Sequence, residues 1–192
     1  MGMPQDEAFP AVLETMKRSS AALRDAGVPF LLGGGLAAWA RGGPPTDHDV
    51  DLLVRERDVE RAQAALGRAG FRLEQPPEEW LVKAWDRGVL VDVIFRPSGG
   101  PIDDSHFERA ETLEVAAQEL PVAAIEDVLA AKVLALSEQE PDFAQVLALS
   151  RSLREQIDWE TVRAQVDHSP FGAAFFTLVE RLGILSEPVP ST

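Results

Sequence analysis

Two aspartates separated by a single valine begin an alternating segment, Asp49-Val50-Asp51-Leu52-Leu53-Val54. Alternation is typical of a β-strand, and it places the two aspartates and Leu53 on one face and the other apolar side chains on the opposite face. Two carboxylates on one strand face lie roughly 7 Å apart along the chain and repel each other unless a partner neutralises them. Oxygen ligands of this kind are what Mg²⁺ prefers, so the pair predicts a metal site. The alternative is the solvated face of an edge strand.

Three consecutive glycines precede this strand. Residues 28–32 predict a short buried strand, Gly33-Gly34-Gly35 follow it, and residues 36–40 predict a short helix. Glycines between a strand and a helix let backbone N–H groups approach a phosphate closely. Together with the paired acids, this arrangement indicates a site for a metal-bound nucleotide.

A third carboxylate, Asp92, interrupts a segment that is otherwise apolar. Residues 80–85 and 89–95 predict the two strands of a hairpin, and residues 86–88 predict its turn. Burying an unpaired carboxylate is costly, so Asp92 needs either a functional partner or a place on an exposed edge strand.

These residues resemble the signature of the polymerase-β-like nucleotidyltransferase superfamily, in which a glycine pair precedes an Asp-hydrophobic-Asp strand. Members transfer a nucleoside monophosphate from an NTP to an acceptor hydroxyl. The resemblance implies that Asp49, Asp51 and Asp92 are the catalytic acids and hold two Mg²⁺ ions, with the NTP as co-substrate. It also implies that Gly34 and Gly35 bind the triphosphate. His48, beside the acids, is not needed as a ligand.

Two later residues resemble a motif of the minimal nucleotidyltransferases related to abortive-infection toxins, which implies that Lys132 and Asp142 also contact the nucleotide. Each has a structural alternative. Lys132 lies on the apolar face of a predicted helix, residues 125–137, where a lysine often extends its ammonium group to the surface. Asp142 follows Pro141 in the first turn of another predicted helix, where an acid is common.

The composition of the chain limits the cellular location and the binding partners that we expect for the protein. The chain of 192 residues has a net charge of −14, no cysteine and no apolar run long enough to span a membrane, and its N-terminus lacks a signal-peptide pattern, so we expect a cytoplasmic protein. Three acceptor hypotheses remain open: tRNA or another RNA, with an antitoxin partner; a cationic small molecule of the aminoglycoside type; or no acceptor, in a non-catalytic nucleotide-binding module. The acidic charge predicts that any RNA contact is local, through a few residues such as Arg41, Lys83, Arg87 and Arg96.

The order of predicted elements indicates an α/β (α+β) fold, with a small mixed sheet of nucleotidyltransferase type flanked by helices and a C-terminal helical portion. We expect residues 1–123 to form the sheet core with an N-terminal helix, residues 124–186 the helical portion and residues 187–192 a flexible tail. Residues 98–104 predict a loop, followed by His106 at the surface, and residues 112–123 a short hairpin or extended segment. Further helices are predicted over residues 7–26, 56–69, 142–153, 158–167 and 171–183.

Overall fold

The computed structural model describes residues 5–46 and 49–185. The α-helices are α1 (Gln5–Asp25), α2 (Gly34–Trp39), α3 (Val59–Arg68), α4 (Asp104–Glu108), α5 (Ile125–Leu134), α6 (Ala144–Leu153), α7 (Trp159–Val166) and α8 (Pro170–Arg181). The strands are β1 (Leu31–Leu32), β2 (Asp49–Leu53), β3 (Arg72–Glu74), β4 (Leu81–Asp86), β5 (Val89–Ile94), β6 (Glu111–Val115) and β7 (Gln118–Val122). A 3₁₀ turn, Glu56–Asp58, leads into α3.

The strands form one mixed sheet in the order β3-β4-β5-β2-β1-β7-β6. The pairs β2–β5 and β1–β7 are parallel, and the other neighbours are antiparallel. This arrangement confirms the mixed sheet flanked by helices. The division of the chain between residues 123 and 124 stays a prediction, and the tail predicted over residues 187–192 lies outside the described residues.

The two central strands β2 and β5 have one apolar face and one face that carries the aspartates. Val50 and Leu52 on β2, and Val91 and Val93 on β5, are fully buried, and both strands contact α1. Burying each such side chain contributes about 1.5 to 3 kcal/mol relative to leaving it exposed. A slip of one residue would move an aspartate into this core, so the alternation fixes the strand register.

Helix α2 packs on β2, and α5 contacts α2, α6, α7 and α8. The aromatic stripe of α8 is core: Phe175 and Phe176 are buried, and Phe176 meets Trp159 of α7 edge to face. These C-terminal helices therefore fix the position of α5 over the sheet.

Several elements differ from the sequence-based predictions. Helix α2 begins at Gly34 instead of residue 36, and the turn between β4 and β5 has two residues instead of the predicted three. Strand β1 has two residues instead of five, because the Val28 N–H donates to Leu23 O in the turn that ends α1. Residues 104–108 form α4, since Asp103 caps this short helix by accepting a hydrogen bond from the Ser105 N–H. Helix α5 ends at Leu134, before the predicted residue 137. Within the described ranges, no helix is both long and apolar enough to cross a membrane.

Candidate active site

The three predicted acids lie together on the sheet. Asp51 pairs directly with Asp92 across the parallel strands β2 and β5, and Asp49 lies two residues earlier on the same face of β2. One carboxylate oxygen of each residue lies within 4.8 Å of the others. Oδ1 of Asp92 is buried and has no hydrogen-bond partner among the described residues. We call Asp49, Asp51 and Asp92 the acid cluster.

The position of the acid cluster changes the protonation of two members. Burial, followed by the charges of Asp49 and Asp92, raises the pKa of Asp51 to about 7, and Lys132 opposes this rise. Burial, followed by the charge of Asp49, raises the pKa of Asp92 to about 6, whereas Lys83 lowers it. The like charges are therefore only partly compensated by the protein, as expected of a site that binds a cation.

The glycine pair lies directly against this site, and each glycine is required for a different contact. Gly34 has φ +53°, and a Cβ there would lie 1.6 Å from Oδ2 of Asp51. A Cβ on Gly35 would lie 2.7 Å from Cβ of Thr46, in the segment that leads towards β2. The main chain is fixed in place because the Gly33 N–H donates to Asp51 O, over 2.9 Å. Gly34 therefore leaves room for the Asp51 carboxylate, and Gly35 for the loop before it.

A cavity of about 530 Å³ begins at the acid cluster and extends between the sheet and α5. Gly34, Asp51 and Lys132 line it beside the acid cluster. Much of the remaining lining is apolar. Further polar lining residues are Arg109, Asp127 and Gln165, which are joined by hydrogen bonds, and His106, whose side chain is 22% exposed. The volume is within the range typical of ligand sites.

Lys132 reaches this cavity instead of only extending to the surface. It is half-buried on α5 and lies near enough to Asp51 for its charge to lower the pKa of that carboxyl. It lines the cavity together with Gly34 and Asp51, and its binding of the nucleotide stays a prediction.

Asp142 is separate from these residues. Its side chain is exposed and accepts a hydrogen bond from the Ala144 N–H at the start of α6, over 2.8 Å. It is not among the described residues that line the cavity. This is the helix-start role that the sequence also allowed, and nucleotide binding by Asp142 stays a prediction. His48 lies outside the described residues.

Lys83 is a site residue whose place beside the acids the sequence analysis missed. The antiparallel register of β4 and β5 pairs Lys83 directly with Asp92. The turn was predicted over residues 86–88, whereas the structure has a two-residue turn at Arg87-Gly88, and this shorter turn sets the register. Arg109 and Gln165 were also missed, and nothing in their local sequence marks them.

Solved structures similar to this chain include proteins described as nucleotidyltransferases. The solution structure of the antibiotic-resistance factor ANT(2'')-Ia has a TM-score of 0.63 and 16% identity, over 91% of this chain and 96% of that one. An antigenic nucleotidyltransferase-like protein from Paracoccidioides brasiliensis has a TM-score of 0.56 and 18% identity, over 96% and 92% of the two chains. A protein from Thermotoga maritima described as a nucleotidyltransferase has a TM-score of 0.52 and 17% identity, over 83% and 95%. The fold is thus that of the nucleotidyltransferase superfamily.

Residues 12–181 match the model of a family described as uncharacterised nucleotidyltransferases. The match spans most of the chain, so the protein belongs to this family and is an enzyme of the nucleotidyltransferase class. No curated protein matches the sequence.

Proposed function

We propose that the protein transfers a nucleoside monophosphate from an Mg²⁺-bound NTP to a hydroxyl group of a cationic small molecule. The observation that carries this proposal is the acid cluster, in which three carboxylates converge within 4.8 Å beside Gly34. Two carboxylates in direct register on adjacent strands are destabilising for the protein alone, and a divalent cation removes that cost.

The residues present fit magnesium. All three side chains offer the hard oxygen ligands that Mg²⁺ prefers, and Oδ1 of Asp92 has no partner within the described part of the chain. Asp49 and Asp51 would hold two ions, and Asp92 would share one of them. Bound there, the ions would neutralise charge on the phosphates and on the attacking and leaving oxygens.

Asp92 would remove the proton of the acceptor. Oδ1 of this carboxylate is buried and has no hydrogen-bond partner among the described residues, so it is available to accept a proton. The acceptor oxygen then forms a bond to the α-phosphorus, the bond to the pyrophosphate group breaks, and pyrophosphate leaves. Lys132 and the backbone at Gly34 and Gly35 would hold the triphosphate during this displacement.

The charge of the protein favours a cationic acceptor. The net charge is −14, and Glu78 lies close enough to Asp92 to raise the pKa of that carboxyl. RNA with an antitoxin partner is the competing hypothesis, but two of the three arginines predicted for it already face acidic side chains, and only Arg87 is largely exposed. The Arg41 side chain is 5% exposed and lies 3.6 Å from Glu111, and Arg96 pairs with Glu56 over 2.8 Å. A non-catalytic module is disfavoured because the acid cluster is complete.

The test is the double variant Asp49→Asn plus Asp51→Asn. We expect it to fold, because removing like charges relieves repulsion, and to lose Mg²⁺-dependent NTP binding in calorimetric titrations with ATP, GTP, CTP and UTP. The matched control is Glu138→Gln plus Glu140→Gln, two exposed acids beyond α5. Unchanged affinity in the aspartate variant would overturn the metal assignment.

A further inference from the structure

Trp80 presents an exposed indole ring at the cavity. Trp80 is 41% exposed, although burying a tryptophan side chain is among the most favourable contributions to folding. Its main chain is held in place, since Trp80 O accepts hydrogen bonds from the N–H groups of Phe95 and Arg96. Trp80 lines the cavity, so this costly exposure lies where a ligand would cover it.

The cavity next to Trp80 is suited to a flat apolar group. Leu53 and Ile94 line it and pair with each other across β2 and β5. Each lies two residues beyond Asp51 or Asp92 on the same strand face, which is about 7 Å from the acid cluster. Ala131 and Leu134 of α5 contribute the facing wall.

The ligand group in this cavity must be joined to whatever the acid cluster binds. Gly34, Asp51 and Lys132, which would hold the metal-bound phosphates, all line the cavity. Asp92, which would serve the acceptor, is not among the described lining residues. The cavity therefore continues from the phosphate end of the site, and the nucleoside of the same NTP is the group that extends there.

We propose that this cavity takes the nucleoside of the NTP and that Trp80 binds the base by stacking on its ring. The proposal rests on the proposed function. Stacking on an aromatic side chain depends little on base identity, because every base has a π-face. Trp80 would therefore contribute affinity for any NTP, and other lining groups would select among the bases.

The experiment measures calorimetric binding of ATP and of inorganic pyrophosphate, each with Mg²⁺, to the wild type, Trp80→Leu and Trp80→Phe. We expect Trp80→Leu to bind ATP at least fivefold more weakly and pyrophosphate within twofold of the wild type. Trp80→Phe, which keeps an aromatic ring, should recover most of the ATP affinity. Thermal melts of both variants check that they are folded.

The possible outcomes distinguish a failure of the Trp80 stacking role from a failure of the proposed function. ATP binding to Trp80→Leu within twofold of the wild type overturns the stacking role. An equal loss for ATP and pyrophosphate also overturns it, because Trp80 would then support the phosphate end. A wild-type protein that binds neither ligand contradicts the proposed function itself.

Discussion

At the scale of single residues, Gly34 determines whether Asp51 can take its place in the acid cluster. A methyl group at position 34 would meet Oδ2 of Asp51 at 1.6 Å, so the carboxylate would have to move. The positive φ of Gly34 adds a backbone cost of the order of 1 kcal/mol for any other residue.

We therefore expect Gly34→Ala to lower Mg²⁺-dependent NTP binding by at least tenfold as well as to lower the melting temperature. Gly42→Ala is the matched control, since Gly42 has φ +92° and nothing lies within 4 Å of its added Cβ. The control should lose stability but retain nucleotide affinity, measured by calorimetry and thermal melts. Equal affinities in the two variants would contradict the role of Gly34.

The raised pKa of Asp51 predicts how stability depends on pH in the metal-free protein. The pKa is 3.8 in the unfolded reference and about 7 in the fold, so the folded protein holds an extra proton between these values. Raising the pH removes that proton, and the free energy of unfolding falls from about pH 4 to pH 7. Asp92 acts in the same direction up to about pH 6.

We expect the melting temperature in a chelating buffer to fall from pH 5 to pH 8 more steeply in the wild type than in Asp51→Asn. Asparagine does not titrate, so Asp51→Asn lacks the Asp51 contribution to the pH dependence of stability, which is larger than that of Asp92. Adding Mg²⁺ should restore stability at pH 8 to the wild type only. Parallel pH profiles for the two proteins would show that Asp51 is ionised in the fold at all these pH values.

Lys132 offers a residue-scale test of phosphate binding. Lys132→Met replaces the ammonium group with a side chain of similar volume, so we expect a stability loss below about 1 kcal/mol. ATP affinity or turnover should nevertheless fall at least tenfold, about 1.4 kcal/mol. Lys17→Met on α1 is the control, because Lys17 pairs with Glu14 on the same helix and is not among the described residues that line the cavity. Full activity in Lys132→Met would leave Lys132 a purely structural side chain.

At the scale of elements, alternation and turn chemistry predict the part of the site that the sheet carries. The faces of β2 and β5 follow from their sequences, because a strand side chain has only two directions. The pairing of Asp51 with Asp92 is different, since the sequence does not state which strands are neighbours or in which register. Trp80 precedes β4, Arg109 follows α4 and Gln165 lies in α7, yet all three line one cavity, and no local sequence pattern contains that information.

Alanine substitutions at two helical glycines should change the stability of the protein in opposite directions, because the atoms around the two positions differ. A Cβ added to Gly172 of α8 would lie 2.1 Å from the backbone oxygen of Val166 in α7. Gly67 of α3 has only an ordinary contact, 3.4 Å from Leu73 Cδ1. We expect Gly172→Ala to destabilise the protein by at least about 2 kcal/mol and Gly67→Ala to stabilise it by about 0.5 to 1 kcal/mol. Denaturant titrations measure both, and a neutral Gly172→Ala would contradict the close packing of α7 on α8.

At the scale of the whole molecule, the net charge of −14 affects every approaching substrate. A cationic acceptor is attracted and RNA is repelled, and both effects weaken as salt screens them.

We expect α-labelled ATP and Mg²⁺ to place label on members of an aminoglycoside panel and none on total tRNA, with the acceptor KM rising as salt is added. The variant with Asp49→Asn and Asp51→Asn is the control for label that does not come from this active site. Label on tRNA would favour the RNA hypothesis. Label on neither, with NTP binding intact, would show that the acceptor belongs to another chemical class.

The two-residue turn between β4 and β5 limits where the chain can change in length. Arg87 and Gly88 both have positive φ, and they set the register that places Lys83 beside Asp92. One inserted residue would either break this hairpin or exchange Asp92 with a buried neighbour, Val91 or Val93. An insertion in the Gly/Pro segment of residues 97–103 would shift no strand pair. Insertions and deletions among family members should therefore collect in such loops and avoid residues 87–88.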